Sequence, residues 1–139
     1  MLSDFFVADD SDAAAVAKAM PPAKKWAALF ARDLDEVKLK QLWPAVRGGL
    51  RKPLPAMRLL HSASDGGPWV YAVPDPLIER VASLDDDALE RAAATWATAE
   101  EFALDGWAVA DVREVLVDLR TVCQRSRVSG KGLLLRIGL

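Results

Sequence analysis

The sequence predicts an α+β fold: a small mixed or antiparallel sheet of about three to five strands with amphipathic helices packed on it. Three observations predict it. Asp85 to Ser129 carries two long helical periodicities. Leu133 to Leu139 alternates as a closing strand. Short apolar runs of strand character, bounded by turn residues, lie upstream. The expected C-terminal layout is a helical hairpin followed by a terminal strand. At 139 residues the chain suits a single domain spanning 1–139.

The first strand is expected over Phe5–Ala8, ending in the acidic cluster Asp9, Asp10 and Asp12. These acids and Ser11 are good helix caps, so Asp12 to Met20 is expected to be helical until Pro21-Pro22 stops it. Trp26 to Ala31 again has strand character. Asp33 followed by Glu36 has the form of a capping box. It opens a helix with Val37, Leu39, Leu42, Trp43 and Val46 along one side and Gly48-Gly49 at its end. Leu50 to Pro68, with Pro53, Pro55 and the turn Ser64-Asp65-Gly66-Gly67-Pro68, is expected to be irregular. Trp69–Val73 is the clearest strand, and its apolar faces place it mid-sheet. Pro74-Asp75-Pro76 then opens a short helix through Ser83.

Asp85, Asp86 and Asp87 put negative charge at a helix N-terminus, where it is favoured by about 0.3–1 kcal/mol per residue. Leu89, Ala92, Ala93, Trp96 and Ala103 form that helix's apolar stripe, and the chain turns at Asp105-Gly106. Val109, Val112, Val115, Leu116, Leu119, Val122 and Cys123 form the next stripe, and Gly130 ends it. In the last segment Leu133, Leu135, Ile137 and Leu139 share one face, opposite Leu134, Arg136 and Gly138. The terminal strand is expected to pair centrally, since an exposed apolar edge invites aggregation.

No window approaches the roughly 18–20 apolar residues of a membrane span, and the opening residues have no basic signal region. A single cysteine rules out an internal disulfide. Together these point to a soluble protein of a reducing cytoplasm with no membrane association. The net charge of −2 hides segregation. Ala13 to Arg58 holds ten basic residues against three acids, His61 to Leu119 three against thirteen, and Arg120 to Leu139 five against none. Kept apart in space, these blocks form a dipole able to steer a charged partner; folded face to face, they neutralise one another.

Motifs for catalysis are absent. Ser129-Gly130-Lys131-Gly132 follows a helix and precedes a strand, the reverse of a phosphate loop. His61, in a loose segment, reads as a surface histidine, and Cys123 on a helix stripe reads as packing. One histidine and one cysteine make no common zinc site, so neither metal nor cofactor is expected. Lys18, Lys24, Lys25, Lys38, Lys40, Arg47, Arg51, Lys52 and Arg58 could form a basic patch, but the isoelectric point near 5.4 argues against nucleic acid. Glu100, one turn after Trp96, is the best candidate acid, since a carboxylate half-buried against an aromatic ring can hold its proton. Trp43, just before Pro44, and Trp107, beside the turn glycine, are expected to be partly exposed, and such aromatics anchor interfaces. Trp69 and Trp96 are expected in the core.

The leading expectation is a protein–protein interaction module, either toxin-neutralising (an immunity protein) or regulatory. Its partner would be another protein or a second copy. Its candidate contact residues are Trp43, Trp69, Tyr71, Glu100, Trp107 and Arg136. The alternative is a small hydrolase or isomerase using Glu100 in a cleft lined by Trp69, Tyr71 or Trp107.

Most of the layout resembles the small uncharacterised bacterial proteins of the YfbM-like type. The likeness is carried by Lys40-Gln41-Leu42-Trp43 through Gly48, Asp65-Gly66-Gly67-Pro68, Val73-Pro74, Leu84-Asp85-Asp86 and Gly130-Lys131-Gly132-Leu133-Leu134-Leu135. The histidine usual beside that tryptophan is replaced by Pro44. The resemblance implies an α+β fold and brings no reaction or active site with it.

Overall fold

The computed structural model describes residues 1–19 and 25–138. The ends of the first expected helix, at Met20 to Pro22, and of the last strand, at Leu139, lie outside them, as does Lys24. The elements in order are β1 (Leu2–Ala8), α1 (Ala13–Ala17, after a 3-10 turn at Asp10–Asp12), β2 (Ala28–Arg32), α2 (Glu36–Val46), β3 (Arg58–Ser62) and β4 (Trp69–Ala72). They continue with α3 (Asp75–Ala82), α4 (Asp86–Trp96), α5 (Glu100–Leu104), α6 (Val109–Ser129) and β5 (Gly132–Gly138). The fold is α+β, as expected: one five-stranded antiparallel sheet in the order β2-β1-β5-β4-β3, with helices on it.

The terminal strand does more than pair centrally. β5 is the middle of the sheet, between β1 and β4. Its alternation sorts the core into two layers. Leu133 and Leu135 join Phe5 and Val7 under α2, α3, α4 and α6, and Ile137 packs against them. Leu134, Phe6, Ala8, Val70 and Ala72 lie on the other face against Ala13 and Val16 of α1. Each large side chain buried this way contributes about 1.5–3 kcal/mol.

On that second face Arg136 is buried rather than available at a surface. Its guanidinium donates to Asp4 Oδ2 at 2.7 Å and to the carbonyls of Val16 and Ala19 at 2.9 and 2.5 Å. It also lies 4.9 Å from the Phe6 ring centroid. A cation at the C-terminal end of α1 meets carbonyls that have no partner within the helix. Arg136 is therefore the clamp that holds α1 over β3, β4 and β5.

Several expectations are corrected. Arg58–Ser62 is a strand within the segment expected to be irregular, bulged between Leu59 and His61, and His61 is a half-buried strand residue. Asp35, not Asp33, caps α2, its carboxylate accepting from Lys38 N at 3.0 Å. Asp33 instead adopts a left-handed φ of 52°, which turns its carbonyl toward the Lys38 ammonium. The helix expected to run from Asp85 to the turn at Asp105 breaks after Trp96, and the short α5 folds back. Phe102, not Ala103, thereby packs edge-on against Trp96 at 5.0 Å between centroids, and Ala103 is exposed. Val37 and Val109, in the first turns of their helices, face solvent.

Trp43 is buried, because α2 packs that side against α4, and its Nε1 donates to Lys52 O at 2.9 Å. Trp69 is half-buried rather than core. It stands at the β4 end beside Gly67, whose φ of +83° and lack of a Cβ make room for the ring. Elsewhere local signals hold. Asp85 caps α4 by accepting from Ala88 N at 2.7 Å. Gly130 ends α6 with a left-handed φ of 71°. Trp96 is core and donates to Lys38 O at 2.8 Å.

Candidate functional site

The six residues singled out from the sequence do not converge. Trp43 and Arg136 are buried, Trp69 and Tyr71 are half-buried on one side of β4, and Glu100 is exposed in the first turn of α5. Glu100 lines none of the cavities described below, so the enzyme alternative loses the half-buried carboxylate it was built on. Of the six, Trp107 borders one of the cavities described below. It is half-buried, tilted against Phe102 at 5.2 Å between centroids.

That cavity is one end of a groove between β2 and α6. Its volume is about 510 Å³, and its walls include Arg32, Asp33, Asp105, Trp107, Asp111, Glu114 and Asp118. The other end, of about 520 Å³, is bordered by Lys25, Trp26, Thr121, Arg125, Val128 and Lys131. Asp111, Glu114, Asp118, Thr121, Arg125 and Val128 follow one another at three- and four-residue steps, so they form one outer stripe of α6. The stripe is acidic beside the C-terminal end of β2 and basic beside its N-terminal end. This order also complements the helix dipole. None of Lys25, Asp111, Glu114, Asp118, Arg125 and Lys131 is in an ion pair among the described residues.

The floor of the groove is the edge strand β2. Its register with β1 runs from Leu2 opposite Arg32 to Phe6 opposite Ala28. Val7 N donates to Ala27 O at 2.9 Å and Asp33 N to Met1 O at 3.2 Å. These two bonds fix the phase: Ala27, Leu29 and Ala31 turn their backbone groups inward to β1, as Asp33 does its N–H. The N–H and C=O of Ala28, Phe30 and Arg32 consequently point outward, with no backbone partner among the described residues. Ala27, Leu29 and Ala31 face α6, while Trp26 and Phe30 meet Phe6 edge-on from the other side, each at 6.0 Å. Phe30 is still 42% exposed.

Behind the acidic end sits a buried lysine. The Lys38 side chain is almost wholly enclosed, and its ammonium donates to Asp33 O at 2.5 Å and to the Asp105 carboxylate. It also lies 5.7 Å from the Phe102 ring centroid. Burial of an ammonium is sustained only by such partners. Nearby, Gln41 Nε2 donates to Glu101 at 2.6 Å, which holds that carboxyl below its ordinary value of 4.5. Burial pushes the Cys123 thiol up to about 12, so it is inert packing, as expected. Across the fold, Lys38 with Asp105 and Arg120 with Asp86 join basic to acidic blocks. The charge segregation read from the sequence is thus neutralised in part inside the molecule, and it persists along the groove.

Sequence reasoning missed Phe30, Arg125 and Lys131. The apolar stripe of α6 was read from its spacing and a strand was expected near β2, but the charged outer stripe and its place over that strand were not. Among the described residues no group of three or more His, Cys, Asp or Glu is placed to hold a metal ion. No helix among them is long and apolar enough to cross a membrane. No protein-family model, curated protein or solved structure matches this chain.

Proposed function

We propose that the chain is a protein-binding module that receives its partner along the β2 edge, under the charged outer stripe of α6. One observation carries this reading: the outward backbone groups of Ala28, Phe30 and Arg32 form an open hydrogen-bonding template at the floor of a groove charged at both ends. An added strand gains affinity from the backbone and selectivity from the flanking side chains. Trp107 and Trp26, one at each end, supply aromatic contact area. A regulatory or toxin-neutralising role in a bacterial cytoplasm, in a relative of the YfbM-like proteins, is the wider context proposed for this module.

The test is affinity capture from the native host at low and moderate salt, with the wild type, Ala28→Pro and the opposite-edge variant Leu59→Lys as baits. Ala28→Pro removes only an outward donor, which an edge strand tolerates. A specific partner, or the chain itself, retained by wild type and Leu59→Lys and lost with Ala28→Pro supports the reading. Equal capture by all three baits, or none by any, contradicts it.

A further inference from the structure

The charge order of the groove identifies its occupant. Resting on the docking surface just proposed, we infer that the partner is a second copy of this chain, paired edge to edge through β2 in antiparallel register centred on Phe30. A two-fold axis perpendicular to the sheet relates two antiparallel edge strands. It sets the N-terminal end of one β2 against the C-terminal end of the other. It also keeps both α6 helices on the same side of the joined sheet. The basic end of one groove, with Lys25, Arg125 and Lys131, then meets the acidic end of the other, with Asp111, Glu114 and Asp118. An unrelated strand would need the matching charge gradient by coincidence, whereas the two-fold supplies it from this chain alone.

The backbone gives the same register. Only Ala28, Phe30 and Arg32 turn their N–H and C=O outward. Centring on Phe30 uses all of them: Phe30 pairs with Phe30 of the second copy, and Ala28 with its Arg32. The two Phe30 rings come side by side on the face away from α6, covering side chains that are 42% exposed in the single chain. Opposite residues in such a pair interact directly. A strand of five residues by itself covers less than the roughly 800 Å² per partner typical of stable complexes. The charged flanks of α6 must therefore contribute, which makes the dimer weaken as salt rises.

Sedimentation velocity on the full chain tests this, with wild type, Phe30→Lys, Phe30→Glu and an equimolar mixture of the two variants. The wild type is expected to sediment at about twice its 15.1 kDa mass. Each variant alone places like charges on the axis and is expected to weaken association by about tenfold or more, shifting the particle to the monomer. The mixture places Lys opposite Glu and is expected to recover the dimer. Circular dichroism checks that the variants fold; Ala28→Pro, which keeps the Phe30 side chain, is the second route to the same loss. A wild-type monomer, a dimer unchanged in both single variants, or a mixture no more associated than its components overturns the inference. A wild-type monomer leaves the docking reading to stand or fall by β2-dependent capture, so the two failures are distinguishable.

Discussion

The two edges of the sheet are built on opposite plans. β3, five residues long like β2, is bulged between Leu59 and His61, carries Arg58 in an ion pair with Asp10, and has α1 lying over its half of the sheet. β2 has no register shift, is apolar from Ala28 to Ala31, and has α6 over one face with the groove between them. Natural sheets blunt an edge with bulges, charges or cover, because an open edge recruits strands. β3 combines a bulge, a charged end and cover, whereas β2 has cover on one face and Arg32 at its end but no bulge. The difference teaches that regularity separates the edges: β2 keeps an unbroken row of outward backbone groups, where β3 is interrupted by its bulge.

The largest effect should come from removing the clamp that covers the β3 half. Arg136→Met leaves the Asp4 carboxylate buried without its cation and frees the C-terminal end of α1. A loss of about 3–5 kcal/mol is expected in urea unfolding. The double variant Asp4→Leu with Arg136→Met is expected to recover much of that loss, because no uncompensated charge remains. Next comes the phase of the β2 ladder. Leu29→Pro deletes an N–H that faces β1 and should cost about 3 kcal/mol or more, whereas Ala28→Pro should cost less than about 1 kcal/mol. Thermal melts of the two variants measure the difference, and equal costs would mean that the assigned phase is wrong.

A smaller effect separates the edges by association more than by stability. Phe30→Lys, which loses the edge contact with Phe6, should shift monomer stability by about 1–2 kcal/mol, and Leu59→Lys by only about 0.5 kcal/mol. Sedimentation should register the first and ignore the second. The smallest effect lies away from both edges, at Glu101. Its carboxyl titrates below its ordinary value in the folded chain, so its contribution is present above about pH 4.5 and fades as pH falls through the folded value. Glu101→Gln should flatten that slight acid-side slope in stability while leaving the edge behaviour unchanged.

Local chemistry is what the sequence made readable. The caps at Asp85 and Gly130, the periodicity of α6 and the alternation of Leu133 to Ile137 each depend on neighbours within a turn or a strand. β3 escaped because its pairing with β4 is distant in sequence and its bulge breaks alternation, while Pro53, Pro55 and the Ser64–Pro68 turn suggested only a loop. Trp43 was misjudged because Pro44 beside it is a local signal, whereas its burial is set by α4 packing on α2. The same limit hid the groove. The apolar stripe of α6 drew attention away from the charges stepping along its outer side, and which strand lies beneath them is decided by sheet order, which no local pattern encodes.

Amide hydrogen exchange across a range of protein concentrations tests the central claim most directly. The Ala28, Phe30 and Arg32 amides should gain protection as concentration rises, while the Leu29 and Ala31 amides stay protected throughout and the β3 amides do not change. Exchange at Ala28, Phe30 and Arg32 that is fast and independent of concentration would contradict the account.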